Sequence, residues 1–188
     1  MKEVLKSVVF IIALALIQLI FILIGTISYY PFYKHDNYFE SETFNKVALI
    51  SSIIYTIIMI IILRKKININ KISIKQQMIS VFIGITISII MYLVTKTKTE
   101  SNILIILETG LLAPILEEMM YRGIIYNNMN MKRKDIVVTL LFALSHPTSR
   151  MIYALFLGTI LMISLKKTNS LKAPILIHIS SNITSLII

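Results

Sequence analysis

The sequence predicts an all-α polytopic membrane protein of about seven transmembrane helices, with its polar site in a C-terminal four-helix core. Three observations carry that prediction. Of 188 residues, 56% are hydrophobic and 15% charged, against roughly 45–50% and about 25% in a soluble domain. The apolar residues fall in runs near the roughly 20 that a helix needs to cross a bilayer. Lysines and arginines then alternate in number between the segments that separate those runs.

Composition excludes several classes at once. A soluble chain of this length has too little interior for so many apolar side chains, and the mean hydropathy is +0.82. An ordinary cytosolic enzyme is therefore excluded. With no cysteine, so are a disulfide-built secreted module, a thiolate metal site and a cysteine nucleophile. The net charge of +10 reads as lysines beside anionic lipid headgroups rather than as contact with nucleic acid.

The first run, 8–29, is interrupted only by Gln18 and small polar residues. Lys2 and Lys6 precede it as in a signal peptide, but a signal's apolar region is about 7–15 residues. This run is longer, and its Ala13-Leu14-Ala15 lies in mid-run, so it is expected to be a retained span. Runs two and three are 47–63 and 78–94. The fourth, 103–129, contains Glu108, Glu117, Glu118 and Arg122. The fifth, 136–146, is stopped by Pro147, and 151–165 and 171–188 complete the set. Short runs need cover from neighbours or extension into the interface.

Charge assigns orientation. Lys2 and Lys6, then Arg64, Lys65, Lys66, Lys71 and Lys75, then Lys132, Arg133 and Lys134, then Lys166, Lys167 and Lys172 share one side. Lys34, Lys46, Lys96, Lys98 and Arg150 share the other. The positive-inside rule puts the N-terminus in the cytoplasm and the C-terminus outside. A bias to Ile, Lys and Asn suggests an AT-rich bacterial genome, hence a bacterial cell membrane. Residues 31–46, with Asp36, Glu40, Glu42 and four aromatics, form the one substantial outer loop. Residues 64–77 form a basic inner loop whose alternating isoleucines admit a short surface-lying element.

Charge within a bilayer costs about 2.5–3.5 kcal/mol on insertion scales, so ionisable residues inside the runs need a reason. Most lie in the last part of the chain: Glu108, Glu117, Glu118, Arg122, His146 and His178, with the amide Asn182. Glu118 and Arg122, Phe142 and His146, and His178 and Asn182 are each i,i+4 pairs and so share a helix face. Glu117 lies about 100° round the helix from Glu118, facing another neighbour. At 1.5 Å per residue from the inner boundary, Glu117 lies about 18 Å deep, His146 about 16 Å, and His178 with Asn182 roughly 10–16 Å. Three helices thus bring polar groups to one level, as a buried polar site requires. Taken singly, each has a plainer reading. Glu118–Arg122 suits a structural ion pair, His178 a bond to a carbonyl, Asn182 helix–helix glue, and His146 a helix end. Glu108 is assigned no role, near the outer interface. Gly110 and Pro114 loosen the fourth helix, because Pro114 cannot donate to the Gly110 carbonyl.

These residues carry a resemblance. ETGLLAPILEEMMYRGIIY (108–126) resembles the E-E-x-x-x-R motif of the CAAX prenyl endopeptidase and bacteriocin-processing family, also called Abi or CPBP intramembrane proteases. FALSHP (142–147) resembles its F-x-x-x-H motif, and FLGTILMISLKKTNSLKAPILIHISSN (156–182) its final block ending in H-x-x-x-N. Order and spacing agree, which divides the chain into a protease-like core at 103–188 and helices without a recognised motif at 1–102. The resemblance implies a helical intramembrane peptidase. Glu117 would be the general base, holding water with His146. His178 and Asn182 would stabilise the oxyanion, and Glu118 with Arg122 would be the supporting pair. Glu117, His146 and His178 could equally supply a His₂Glu set for a divalent metal such as zinc. There is no H-E-x-x-H, and both mechanisms use the same side chains. The expected substrate is a small peptide or membrane-associated protein, in bacteriocin or signal-peptide processing or self-immunity. The alternative is a non-catalytic bacteriocin immunity or membrane-binding protein. An ion pathway lacks the repeat symmetry and paired broken helices that would support it.

Overall fold

The computed structural model describes residues 2–32, 42–67, 69–95 and 102–188. Each apolar run becomes one helix: α1 (Lys2–Tyr29), α2 (Glu42–Arg64), α3 (Ile74–Thr95), α4 (103–128), α5 (Lys134–Leu144), α6 (Met151–Thr168) and α7 (Lys172–Ile187). No strand occurs among the described residues. Helices α1, α2, α3 and α6, the last with its preceding turn Thr148–Arg150, are long and apolar enough to cross a membrane, as in a multi-pass membrane protein. At 11 and 16 residues, α5 and α7 are shorter than the roughly 20 that span hydrocarbon, and both pack among neighbours. Most of the predicted outer loop, with Lys34, Asp36 and Glu40, lies outside the described residues, as do Lys96 and Lys98.

Helix α7 occupies the centre, packed against α3, α4 and α6, while α1 touches chiefly α2 and α2 packs on α4. Gly84 explains how closely α3 approaches: a Cβ there would stand 2.3 Å from the Ile177 carbonyl oxygen. Small residues at such contacts let backbones meet where packing must replace hydrophobic drive. Ser88 of α3 bonds the Ser181 carbonyl and lies 2.9 Å from Ser185 Oγ, and Tyr153 of α6 lies 2.6 Å from Ser181 Oγ. The apolar face of α1, including Leu16, Ile20 and Ile24, is left bare for lipid.

The basic inner segment, where the sequence admitted a short surface-lying element, is helical at its C-terminal end. Its last residues begin α3, because Ser73 and Gln76 form a reciprocal cap. Ser73 Oγ accepts from the Gln76 N–H at 3.2 Å, and Gln76 Oε1 from the Ser73 N–H at 2.9 Å, satisfying donors that a helix start leaves free. Asn70 is held at the α6–α7 turn: its Nδ2 donates to the Asn169 carbonyl at 2.8 Å, and its own carbonyl accepts from Ser170 Oγ. Asn169, at φ 49°, ends α6 in the left-handed conformation typical of a helix C-terminus.

Candidate active site

The polar residues are carried mainly by α4, whose register is not uniform. Two π-helical stretches, Ile106–Leu112 and Met119–Ile125, flank an α-helical turn, Ala113–Glu118. The first has a local cause. Pro114 has no N–H, so a helix in α register would leave a carbonyl without its donor. Here the Ala113 N–H reaches back to the Glu108 carbonyl, five residues away. The Thr109 carbonyl is thereby left facing Pro114 in the same register. Asn182 of α7 fills the gap, its Nδ2 donating to Thr109 O at 2.9 Å. Where the sequence expected Gly110 and Pro114 to loosen the helix, the structure has a π-helical stretch closed by a side chain from another helix, a device often found at functional sites.

The second stretch carries Arg122, wholly buried with Glu118. Arg122 Nη1 donates to Glu118 Oε1 at 3.1 Å and Nη2 to the Gly158 carbonyl of α6 at 3.2 Å, with the guanidinium carbon 4.3 Å from the Phe142 ring centroid. A buried charge is tolerated best when paired and hydrogen-bonded; three elements supply these contacts, while Arg122 Nε and Glu118 Oε2 have no hydrogen-bond partner. Gly158 matters because a Cβ there would lie 3.0 Å from Phe142 and 3.4 Å from Arg122 Nη2.

Glu118 Oε1 also accepts from His178 Nδ1 at 3.0 Å. Since a carboxylate only accepts, Nδ1 carries the hydrogen and Nε2 points away from Glu118. His146 follows the same logic. It stands just beyond the end of α5, and its Nδ1 donates to the Phe142 carbonyl at 2.8 Å. Both Nε2 atoms then lie 3.9 Å from a single atom, Glu117 Oε2. That oxygen is buried and has no hydrogen-bond partner. The Glu117 and His146 side chains are 30% and 23% exposed, against 3% for His178 and 0% for Glu118. Glu117 therefore forms the open side of the cluster, and Glu118 its sealed back.

Five sequence-predicted residues, Glu117, Glu118, Arg122, His146 and His178, are brought together. Asn182 shares the helix face of His178, but its bonded N–H serves the α4 backbone. Glu108, assigned no role by the sequence, is buried against α2, where Ser52 and Thr56 donate to it. Phe142 and Gly158 were quoted in motifs without a role. Phe142 is fully buried, 4.6 Å from the His146 ring and 5.7 Å from that of His178, and is the plate on which Arg122 and both imidazoles rest. The F-x-x-x-H spacing was the signal for it.

Three acceptors facing one another, Glu117 Oε2 and two imidazole Nε2 atoms, need a donor or a cation between them. Oxygen and nitrogen atoms 3.9 Å apart can each lie about 2.8 Å from one intervening water. Ligands of a tetrahedral zinc at about 2.0–2.1 Å stand closer, near 3.4 Å. As placed, no group of three His, Asp or Glu side chains among the described residues closes on one point as a metal shell does. The donor types and the His178–Glu118 bond behind them are nonetheless those of a histidine-ligated metal.

Comparison with protein families matches residues 98–184 to the family described as type II CAAX prenyl endopeptidase Rce1-like. Comparison with curated proteins and with solved structures finds no match.

Proposed function

We propose that this chain, whose residues 98–184 are an Rce1-like domain of the type II CAAX prenyl endopeptidase family, is an intramembrane endopeptidase that cleaves a small peptide or membrane-associated protein with a water activated by Glu117. The observation that carries this is the orphaned Glu117 Oε2, 3.9 Å from both imidazole Nε2 atoms, with Glu117 and His146 on the open side of a cluster sealed behind by His178 and Glu118.

A water between Glu117 and His146 donates one hydrogen to each. As its oxygen attacks the scissile carbonyl, Glu117 takes the proton and later delivers it to the departing amine, so atoms and charge balance. The negative charge that develops on the carbonyl oxygen needs donors. His178 supplies one as the imidazolium, with Nδ1–H held by Glu118 and Nε2–H turned to the oxyanion, and the second N–H of Asn182 is the other. In a site shielded from water such donors act more strongly than they would in solution. Glu118 fixes the orientation of His178 and stabilises its imidazolium, and Arg122 balances the Glu118 charge. Residues 103–188 form the catalytic core in this reading, and 1–102 supply helices that cover and anchor it. The N-terminus is cytoplasmic and the C-terminus outside, in a bacterial cell membrane. The substrates that fit are a bacteriocin-like or signal peptide, processed or destroyed in self-immunity.

A second reading is favoured by the tautomers. Two neutral imidazoles and a carboxylate are the donors of a zinc site, and an ion held by Glu117, His146 and His178 would supply Lewis-acid polarisation of the substrate carbonyl. Metal content of the purified protein separates the two readings. The test of proteolysis itself is a peptidomic comparison of membranes and medium from cells carrying wild type or Glu117→Gln at matched protein levels. A terminus present only with wild type supports the reading and identifies the substrate. No difference in termini, with an immunity phenotype intact in the variant, would replace it with non-catalytic binding.

A further inference from the structure

Between the start of α1 and the end of α4 lies a cavity of about 260 Å³, several times the roughly 30 Å³ share of one water. Its floor is apolar, made by Phe10 of α1 with Ile125 and Met129, the latter two 3% exposed. Its rim holds Glu3 and the exposed Lys6 of α1, one turn apart, and the exposed Asn128 of α4. Lys2 and Lys6 mark this end of α1, and Lys132, Arg133 and Lys134 follow the end of α4. Basic residues flanking apolar helices place the rim at the level of the lipid headgroups.

The rim carries one charge of each sign, and the two are not spent on each other. Among the described residues neither Glu3 nor Lys6 forms an ion pair. Glu3 Oε2 accepts from the Asn130 N–H at 2.8 Å, which leaves its negative charge in place. That bond also draws the N–H away from α4. The last carbonyls of α4 have no backbone donor from beyond the helix among the described residues, and they form the negative end of its dipole. A carboxylate beside a helix C-terminus attracts a cation, while Lys6 and the Asn128 amide offer donors to an anion. A ligand for this cavity therefore carries both signs on its polar end and hydrocarbon below it.

We infer that the cavity binds a phospholipid with an ethanolamine headgroup, phosphatidylethanolamine. Its ammonium donates to Glu3 and the α4 carbonyls, and its phosphate accepts from Lys6 and Asn128. The first methylenes of its acyl chains lie on Phe10, Ile125 and Met129. The ammonium and phosphate are two carbons apart, in keeping with side chains three residues apart on a helix, about 5–6 Å between Cβ atoms. Choline has no N–H to donate, and a glycerol headgroup brings no cation to Glu3. The bound lipid ties α1 to α4 beside the Glu3–Asn130 bond. The inference stands whether or not the Glu117 cluster cleaves peptides.

Thermal unfolding of the purified full-length protein in detergent tests it, titrated with phosphatidylethanolamine, phosphatidylcholine or phosphatidylglycerol of matched acyl chains. Wild type should show a saturable rise of several degrees in Tm that is largest with phosphatidylethanolamine. Glu3→Gln, which keeps an acceptor for the Asn130 N–H, should erase the preference over phosphatidylcholine. Lys6→Gln should raise the phosphatidylethanolamine midpoint by about tenfold, as for the loss of one charge-assisted hydrogen bond. Equal rises with all three lipids, a larger rise with phosphatidylglycerol, or an ethanolamine preference intact in Glu3→Gln overturns the inference. If Glu3→Gln does not fold, Lys6→Gln decides it: an unchanged midpoint overturns it.

Discussion

Replacing Arg122 with methionine is the most informative test of how the cluster is held. The side chain keeps its apolar stem against Phe142 and loses three interactions. These are the 3.1 Å bond to Glu118, the 3.2 Å bond to the Gly158 carbonyl and the cation 4.3 Å from the Phe142 ring centroid. Glu118, with no exposed surface, would keep His178 as its remaining partner. Breaking a buried pair from one side costs about 3–5 kcal/mol, which is roughly two to four powers of ten in the folded-to-unfolded ratio. Removing both charges, by Glu118→Gln together with Arg122→Met, takes away the uncompensated carboxylate. The double variant should therefore lose less than the two singles added, by about 1–3 kcal/mol. Reversible denaturation in bicelles, followed by circular dichroism, measures all four proteins under one condition. Strictly additive losses, or an Arg122→Met protein as stable as wild type, would refute the view that Arg122 compensates Glu118.

Other consequences follow from the same contacts. Asn182→Ala strips the Thr109 carbonyl of its donor and should cost about 1–3 kcal/mol. Pro114→Ala restores a backbone N–H nearby and should recover part of that loss in the double variant; additive losses in the same denaturation assay would disprove the coupling. Gly158→Val pushes methyl groups into Phe142, Thr139 and Arg122 and should destabilise by about 1–3 kcal/mol, read as a lowered Tm; an unchanged Tm would count against the packing described. His146→Ala leaves the fold intact, because His146 stands beyond the end of α5, and should lower kcat by about 10²-fold or more. A fall in KM-dependent binding alone would assign His146 to substrate contact instead. Elemental analysis of the active protein should find less than one equivalent of zinc if water alone fills the site. A stoichiometric ion whose removal abolishes cleavage would establish the metal reading.

What the sequence made legible was local. Among the described residues, runs of apolar residues mark the seven helices to within about six positions, because a helix among lipids and other helices is apolar along its length. The Glu118–Arg122 pair was legible because i,i+4 spacing places both on one face, and the F-x-x-x-H spacing likewise placed Phe142 beneath His146. What the sequence concealed depends on packing between distant segments. Nothing in the spacing says that the Gly158 carbonyl receives Arg122, or that His178 turns its Nδ1 to Glu118. The resemblance made Asn182 an oxyanion donor, and nothing in the sequence says that one of its N–H groups is committed to the Thr109 carbonyl. That commitment follows from Pro114 only once the π register is known. Glu108 was given no role for a similar reason: only α2 packing on it shows that two hydroxyls reach it.

The central claim is that Glu117 activates the water that cuts the peptide bond. Its most direct test is cleavage of the identified peptide by purified wild-type and Glu117→Gln proteins in proteoliposomes, with folding matched by circular dichroism. The account predicts a kcat lower by about 10²–10⁴-fold in the variant, with KM little changed. Cleavage at the wild-type rate by Glu117→Gln would contradict it.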